Sequence, residues 1–313
     1  MDGLLLVDKP AGPTSHEVVA CVRRALGERR IGHTGTLDPA ATGLLPLVLG
    51  RATRLARFLS GHDKSYDAVV RFGVATDTYD GKGTWAGPVY SGPRPAREAV
   101  DRALDAFRGT FLQTPPAYSA KKIEGTRSYR LARRAKRERE SVPPDSPAAP
   151  ALTALPTPVS VTARAIEIRD FDGDTVSLRV ECSAGFYVRS LAHDLGAALG
   201  IGAHLTALRR THSGRLSVDD AIGLDVILLD PERARGRMIP LARMLSDLAA
   251  ITLTSEGLAH AVHGRNLGPA DTEQGAWRAD ALFVRMLDSA GELVGIASPA
   301  EAPGFLHPSV VLK

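Results

Sequence analysis

With 313 residues, the chain is long enough for about two domains, the larger able to bury a substantial core, which excludes a mini-protein held together by covalent staples. Its only cysteines, Cys21 and Cys182, exclude a disulfide framework and a four-cysteine zinc site and fit a reducing cytoplasm. The formal charge is +4, the apolar run Leu4 to Val7 is too short for a signal peptide, and no later run approaches the ~18 apolar residues of a membrane span.

Gly3 to Asp8 reads as a first strand, broken by Pro10, Gly12 and Pro13. Thr14 and Glu17 have capping-box spacing, and Val18, Val19, Val22, Ala25 and Leu26 recur at helical intervals until Gly27 stops the helix. Gly32 to Gly43 has no hydrophobic period and reads as a loop, and Leu44 to Leu49 resumes as a buried strand. Lys64 to Phe72 alternates like a strand, Asp77 to Gly83 turns, and Glu98 to Phe107 is a helix candidate. Ile166 to Phe171 and Thr175 to Glu181 flank Asp172-Gly173-Asp174, a hairpin signature. Between Ser141 and Pro158 lie six prolines, a composition that packs no core and predicts an extended or disordered insertion over 140–158. After Leu241 come short strands, Ala281 to Leu287, Gly291 to Ala297 and Val310 to Leu312, which predict a small all-β module.

The positive charge is concentrated. From Lys121 to Glu140 there are nine Lys or Arg against three acids, a local excess of six, so the rest of the chain carries a slight negative balance. Such a segment fits phosphate-backbone binding and equally a solvated helix face. Arg127, Arg130, Arg134 and Arg137 recur at three- and four-residue steps, which predicts one helical face. Other motifs fail on inspection. Asp170 to Thr175 imitates a phosphatase motif but lies where two alternating strands must turn. The glycines of Gly32 to Gly43 lack the Lys-Ser/Thr of a P-loop, and no His pair with an intervening Glu offers a zinc site.

There remains Gly32-His33-Thr34-Gly35-Thr36-Leu37-Asp38-Pro39-Ala40-Ala41-Thr42-Gly43. By itself an Asp before Pro among glycines fits a turn as well as a reactive carboxylate. Together with Lys9-Pro10-Ala11-Gly12-Pro13-Thr14-Ser15, however, it closely resembles the TruB family of tRNA pseudouridine synthases. The resemblance continues in order through Lys64-Ser65-Tyr66, Gly73 and Thr76-Asp77-Thr78-Tyr79-Asp80, then Gln113-Thr114-Pro115-Pro116-Ala117-Tyr118-Ser119-Ala120. It ends with Cys182-Ser183-Ala184-Gly185-Phe186-Tyr187-Val188-Arg189-Ser190-Leu191 and Gly202-Ala203-His204-Leu205-Thr206-Ala207-Leu208-Arg209-Arg210-Thr211. These five ordered blocks span about residues 1 to 240.

The resemblance implies an α+β pseudouridine synthase domain with a central mixed β-sheet over 1–245. It also implies a small PUA-like β-barrel RNA-binding domain over 246–313. The implied reaction is isomerisation of the T-loop uridine at tRNA position 55, with the target base flipped out of its stack. Because the atoms and oxidation state are unchanged, no cofactor and no metal are needed. Asp38 is the implied nucleophile, and Arg189 its implied partner, since an opposite charge at contact favours an ionised, oriented carboxylate. Tyr66 is implied to lie against the target base, where its ring stacks and its hydroxyl can relay a proton. Tyr187 and Leu208 are implied as further walls of the uridine pocket and His33 as an RNA contact. Taken without the family, Arg189 fits a surface arginine, and Tyr66, Tyr187 and Leu208 fit core residues. Lys64, Arg127, Arg130, Arg134 and Arg137 are implied to hold the RNA backbone. Two departures stand out. The family usually shows a glycine soon after its Ala-Arg pair, whereas Ala132-Arg133 here runs into Arg134-Ala135-Lys136, and Leu216 stands where an aromatic is commoner. The expected partner is the tRNA T-arm, with no membrane and no protein partner, and a cytoplasmic monomer is expected. A non-catalytic RNA-binding or RNA-folding protein on the same scaffold, or a guide-RNA-dependent relative, are the alternatives.

Overall fold

The computed structural model describes residues 1–119, 121–123, 126–128, 130–132, 134, 156–274, 277 and 281–313. The chain divides into two compact units, one joining Met1–Gly61 to Leu216–Lys313 and the other formed by His62–Arg215. Among the described residues, no helix is long and apolar enough to cross a membrane.

In the first unit the apolar run at the start of the chain forms the strand Gly3–Lys9, nearly all of it buried. It pairs antiparallel with Thr42–Leu49 from Gly3↔Leu49 to Lys9↔Gly43, and parallel with Ile222–Gly223. Strands this continuously apolar are covered on both faces. The helix Ser15–Leu26 starts in a capping box, as the sequence predicts. The Glu17 N–H donates to the Thr14 hydroxyl at 3.1 Å, and the Thr14 N–H donates to the Glu17 carboxylate at 2.7 Å. That helix buries Val18, Val19, Val22 and Leu26 and stops at Gly27, whose φ of 67° lies in the left-handed region that glycine adopts without strain.

The loop expected over Gly32 to Gly43 begins only after His33. Gly32 and His33 belong to a short strand, Ile31–His33, in register with Leu49, Val48 and Leu47. Three residues are too few to show an alternation, so only the waiting edge of Thr42–Leu49 reveals the pairing.

The rest of this unit carries a five-stranded sheet in the order Thr272–Gln274, Ala250–Leu253, Val284–Leu287, Leu293–Pro299, Leu306–Val311. The module is not all β, because it also contains the helix Ser255–Val262, capped by Thr254. Its apolar centre includes Ile251, Leu253, Ala261, Val284 and Leu306. Leu293, Ile296, Val310 and Leu312 pack in one core with Leu4, Leu6, Leu44 and Val48.

The second unit is built on antiparallel strands ordered Ala203–Ser213, Lys64–Phe72, Thr175–Cys182, Val159–Phe171, Gly109–Gln113. Lys64–Phe72 forms over the residues that its alternation predicts, and Lys64, Tyr66, Ala68, Val70 and Phe72 are all buried. The turn at Asp172 forms as predicted, with the Asp172 carboxylate accepting from the N–H groups of Asp174 and Thr175 at 2.9 and 2.6 Å. The predicted helix over 98–107 runs Arg97–Leu104 and tightens into a 3-10 turn over Asp105–Phe107. A further helix, Val188–Ala198, lies close to the start of the Ala203 strand. At Gly196 any Cβ would collide with the Ala203 backbone nitrogen, so only glycine permits that approach.

The four predicted arginines do not share one helix. Arg127 lies in a two-residue strand, Thr126–Arg127, paired with Lys122–Ile123. Ser128, Arg130, Leu131, Ala132 and Arg134 are helical, and Arg137 and residues 140–155 of the Pro-rich insertion lie outside the described residues. The hairpin wins locally because Lys122 and Ile123 offer it backbone partners that periodicity alone does not register.

Candidate active site

The Asp38 loop belongs to the first unit and is anchored on three sides. Lys9 ends an apolar strand and is fully buried. Its ammonium donates to the carbonyls of Pro10, Pro39 and Ala41 at 2.9, 3.3 and 2.7 Å. A buried ammonium is tolerated when its donors are met by oriented carbonyl dipoles, and here two of the three belong to Pro39 and Ala41, just after Asp38 in sequence. The Ser15 hydroxyl accepts from the Leu37 N–H at 2.8 Å and donates to the Leu37 carbonyl at 3.0 Å. The Ala41 N–H closes a turn on the Asp38 carbonyl at 3.0 Å, and the Gly12 N–H donates to the Pro39 carbonyl at 2.8 Å. The turn reading and the reactive-carboxylate reading therefore coexist: Asp38 sits in a turn, half-buried, with the backbone on either side fixed. His33 is half-buried and lies edge-to-face against His16, with ring centroids 5.4 Å apart.

In the second unit, Tyr187 precedes the helix Val188–Ala198 and Arg189 is its second residue. A cation in the first turn opposes the helix dipole, so Arg189 is not there to stabilise the helix. It is not a surface arginine either, being 6% exposed. Its two terminal nitrogens donate to the Thr78 and Tyr118 carbonyls at 3.1 and 2.9 Å, and the Asp80 carboxylate lies 3.9 Å away. Gln113, 1% exposed, accepts from the Tyr187 N–H at 2.8 Å and donates to the Tyr187 carbonyl at 3.0 Å. The Ser190 hydroxyl donates to the Thr114 carbonyl at 2.8 Å. The Gln113 to Tyr118 segment thus locks the helix start that bears Tyr187 and Arg189.

Tyr66 and Leu208 share a sheet face, because Tyr66 pairs with Arg210 and Ala68 with Leu208, and directly paired residues project to the same side. Tyr66 is buried, whereas Leu208 and Tyr187 are half-buried. Lys64 lies on that face too, only 8% exposed, with its ammonium donating to the His62 carbonyl at 2.6 Å. Burial and the neighbouring Arg210 guanidinium push its pKa below the ordinary lysine value. Burial pushes the Cys182 thiol up to about 12, which leaves it unreactive. Arg130 and Arg134 are exposed.

Sequence reasoning assigned no role to Lys9, Ser15, Gln113, Thr78 or Asp80, although all stand within the quoted blocks. The available signal was a charged or amide side chain at the end of an apolar strand, as at Lys9 and Gln113, which predicts a buried polar group with a specific partner.

Residues 23–144 match the TruB family pseudouridylate synthase N-terminal domain, and residues 189–248 match the tRNA pseudouridylate synthase B C-terminal domain. The tRNA pseudouridine synthase B of Solibacter usitatus is 39% identical over 314 residues, covering 100% of both chains. That of Gloeobacter violaceus is 42% identical over 316 residues, covering 100% of this chain and 99% of the relative. Among solved structures, an H/ACA ribonucleoprotein bound to a substrate RNA containing 2'-deoxyuridine holds a similar chain. The match has a TM-score of 0.69 and 25% identity, over 99% of this chain and 85% of that one. Full-length identity at this level, on a chain whose Asp38 loop and Arg189 helix are both built from the quoted blocks, places the protein in the TruB family of pseudouridine synthases.

Proposed function

We propose that this chain converts the uridine at position 55 of the tRNA T-loop to pseudouridine, with Asp38 as nucleophile. The reaction is an isomerisation. The C1'–N1 glycosidic bond breaks while the Asp38 carboxylate bonds transiently to the nucleoside, the uracil turns, C5 joins C1' as the bond to Asp38 is released, and the proton lost from C5 is balanced by one taken up at N1. The observation that carries this reading is the Asp38 loop, in which the buried Lys9 ammonium pins the Pro39 and Ala41 carbonyls just after Asp38. A carboxylate fixed in this way meets a reacting atom without first losing conformational freedom.

In this reading Asp38, Arg189 and Tyr66 act on the same nucleoside, Tyr187 and Leu208 wall the base, and His33 contacts the RNA. Flipping a stacked base out costs a few kcal/mol, which contacts elsewhere on the tRNA must offset. Lys64, Arg127, Arg130, Arg134 and Arg137 are the proposed phosphate contacts, with the exposed Arg130 and Arg134 the best placed for it. Residues 1–245 are taken as the catalytic domain and 246–313 as a PUA-like module that adds RNA contacts.

The protein acts as a monomer, without a guide RNA or protein partner, in the cytoplasm. In support, the ribonucleoprotein chain is 25% identical, whereas the tRNA pseudouridine synthase B relatives reach 39% and 42%. Cys21 and Cys182 are both free thiols, as a reducing compartment favours.

The test is tritium release from C5-labelled uridine in an unmodified tRNA transcript by the purified chain. Wild type is expected to release tritium unaided, and Asp38→Asn and Asp38→Ala to bind tRNA nearly as well yet release none. Release by either variant refutes the nucleophile assignment, and a wild type that is inert alone refutes independence from partners.

A further inference from the structure

Arg189 and His193 stand four residues apart in the helix Val188–Ala198 and therefore lie on one face, a turn apart. Three consecutive loop residues meet that face. The Thr78 carbonyl accepts from Arg189, and the Asp80 carboxylate lies 3.9 Å from the same nitrogen. Between them, Tyr79 stacks its ring on His193, with centroids 3.8 Å apart and planes 15° from parallel. Tyr79 is held at a φ of 64°, a conformation that a side chain disfavours. On its other side the loop is bonded to the strand through Leu205, whose N–H donates to the Tyr79 carbonyl at 3.0 Å and whose carbonyl accepts from Gly81 at 2.9 Å.

The imidazole is not kept for a hydrogen bond at Nδ1. Its Nδ1 is buried and makes no hydrogen bond among the described residues. A polar atom left so is a cost, which an apolar ring of similar shape would avoid. What the ring supplies is a flat face. Burial lowers the His193 pKa, and burial together with Asp194 raises that of Tyr79, so two uncharged rings are stacked at neutral pH.

We infer that Tyr79 and His193 are positioning residues for pseudouridine formation, their stack fixing the Thr78 to Asp80 loop that orients the Arg189 guanidinium. Strain at Tyr79 is held by the ring on one side and by Leu205 on the other. Without the ring, the Thr78 carbonyl and Asp80 carboxylate would drift from the guanidinium. The inference rests on the reading that Arg189 acts on the target nucleoside.

The experiment compares single-turnover rates at saturating tRNA, tRNA dissociation constants and thermal melting for wild type, His193→Ala, His193→Phe, Tyr79→Gly and Asp38→Asn. Glycine at 79 keeps the left-handed backbone while removing the ring. His193→Ala and Tyr79→Gly are expected to slow the single-turnover rate at least roughly tenfold, with tRNA affinity held within about threefold, as a misplaced catalytic group does. His193→Phe restores the stack and is expected to return the rate to within about threefold of wild type. A wild-type rate in His193→Ala or Tyr79→Gly overturns the inference. So does a His193→Phe variant as slow as His193→Ala, which would mean that a ring nitrogen matters. Should His193→Ala fail to fold, the comparison of His193→Phe with Tyr79→Gly still decides. Asp38→Asn separates the two levels: turnover in that variant defeats the reading of the site, whereas its inactivity beside a fully active His193→Ala defeats only the positioning role.

Discussion

Gln113 holds Tyr187 by both backbone groups, accepting from its N–H at 2.8 Å and donating to its carbonyl at 3.0 Å. The amide does for Tyr187 what a neighbouring strand does for a residue in a sheet. Gln113→Ala takes the amide acceptor from the Tyr187 N–H and one donor from the Tyr187 carbonyl, which keeps the Leu191 N–H at 3.1 Å, and is expected to destabilise the protein by about 1–2 kcal/mol, read by urea denaturation. The pseudouridylation rate falls as well if Tyr187 walls the base. Gln113→Glu sets a second oxygen against the Tyr187 carbonyl and is expected to rescue neither quantity.

Lys9→Met keeps the length of the side chain and removes its donors. Three carbonyls, those of Pro10, Pro39 and Ala41, lose the ammonium together. A loss of about 2–4 kcal/mol is expected. The rate at saturating tRNA should fall more than the affinity, because the loop released is the one bearing Asp38. A variant that melts like wild type would show that the ammonium is not holding the loop.

Asp194 supplies a pH test. Burial raises its carboxyl from 3.8 to about 6. A raised carboxyl pKa means that the native state holds its proton more tightly than the unfolded chain. Below 3.8 both states are protonated and nothing is lost; the penalty grows as pH rises through that window and is complete above about 6. Asp194→Asn, neutral throughout, should match wild type at the acid end and melt higher above the window. Discounted for the partial exposure of the group, the gain is about 1 kcal/mol, or roughly 2–4 °C. An increment that does not change with pH would contradict the assignment.

Arg130 and Arg134 are exposed, and the proposed function gives them phosphates. Each replacement by alanine should weaken tRNA binding and reduce the slope of log affinity against log salt by about 0.7–1. Melting should be unaffected. By contrast, Asp67→Ala breaks a pair with Arg179 in which both partners are more than two-fifths exposed, and it should cost no more than about 1 kcal/mol.

Much of the scaffold was legible before folding was considered. Thr14, Glu17 and Gly27 delimit the first helix because capping acts between residues three or four apart. The alternation from Lys64 to Phe72 defines a strand because one face of it must be buried. The same reading missed the strand Ile31–His33 and the strand containing Arg127, both too short to carry a period.

Candidate residues were legible to a different degree. Asp38, Tyr66 and Arg189 were found because their blocks resemble a family, since an Asp before Pro, a Tyr in a strand and an Arg near a helix start are each compatible with ordinary structural uses. How the chain supports them was hidden. Nothing near Lys9 in sequence announces the Pro39 and Ala41 carbonyls, and nothing near Tyr79 announces His193.

The sequence by itself determined helix ends, tight turns, strand faces and the order of the motif blocks, all of which depend on interactions within a few residues. Only the tertiary structure decided which buried polar group meets which partner. Burying an ammonium, a guanidinium or an amide is tolerable solely where folding brings matching carbonyls or carboxylates from distant segments.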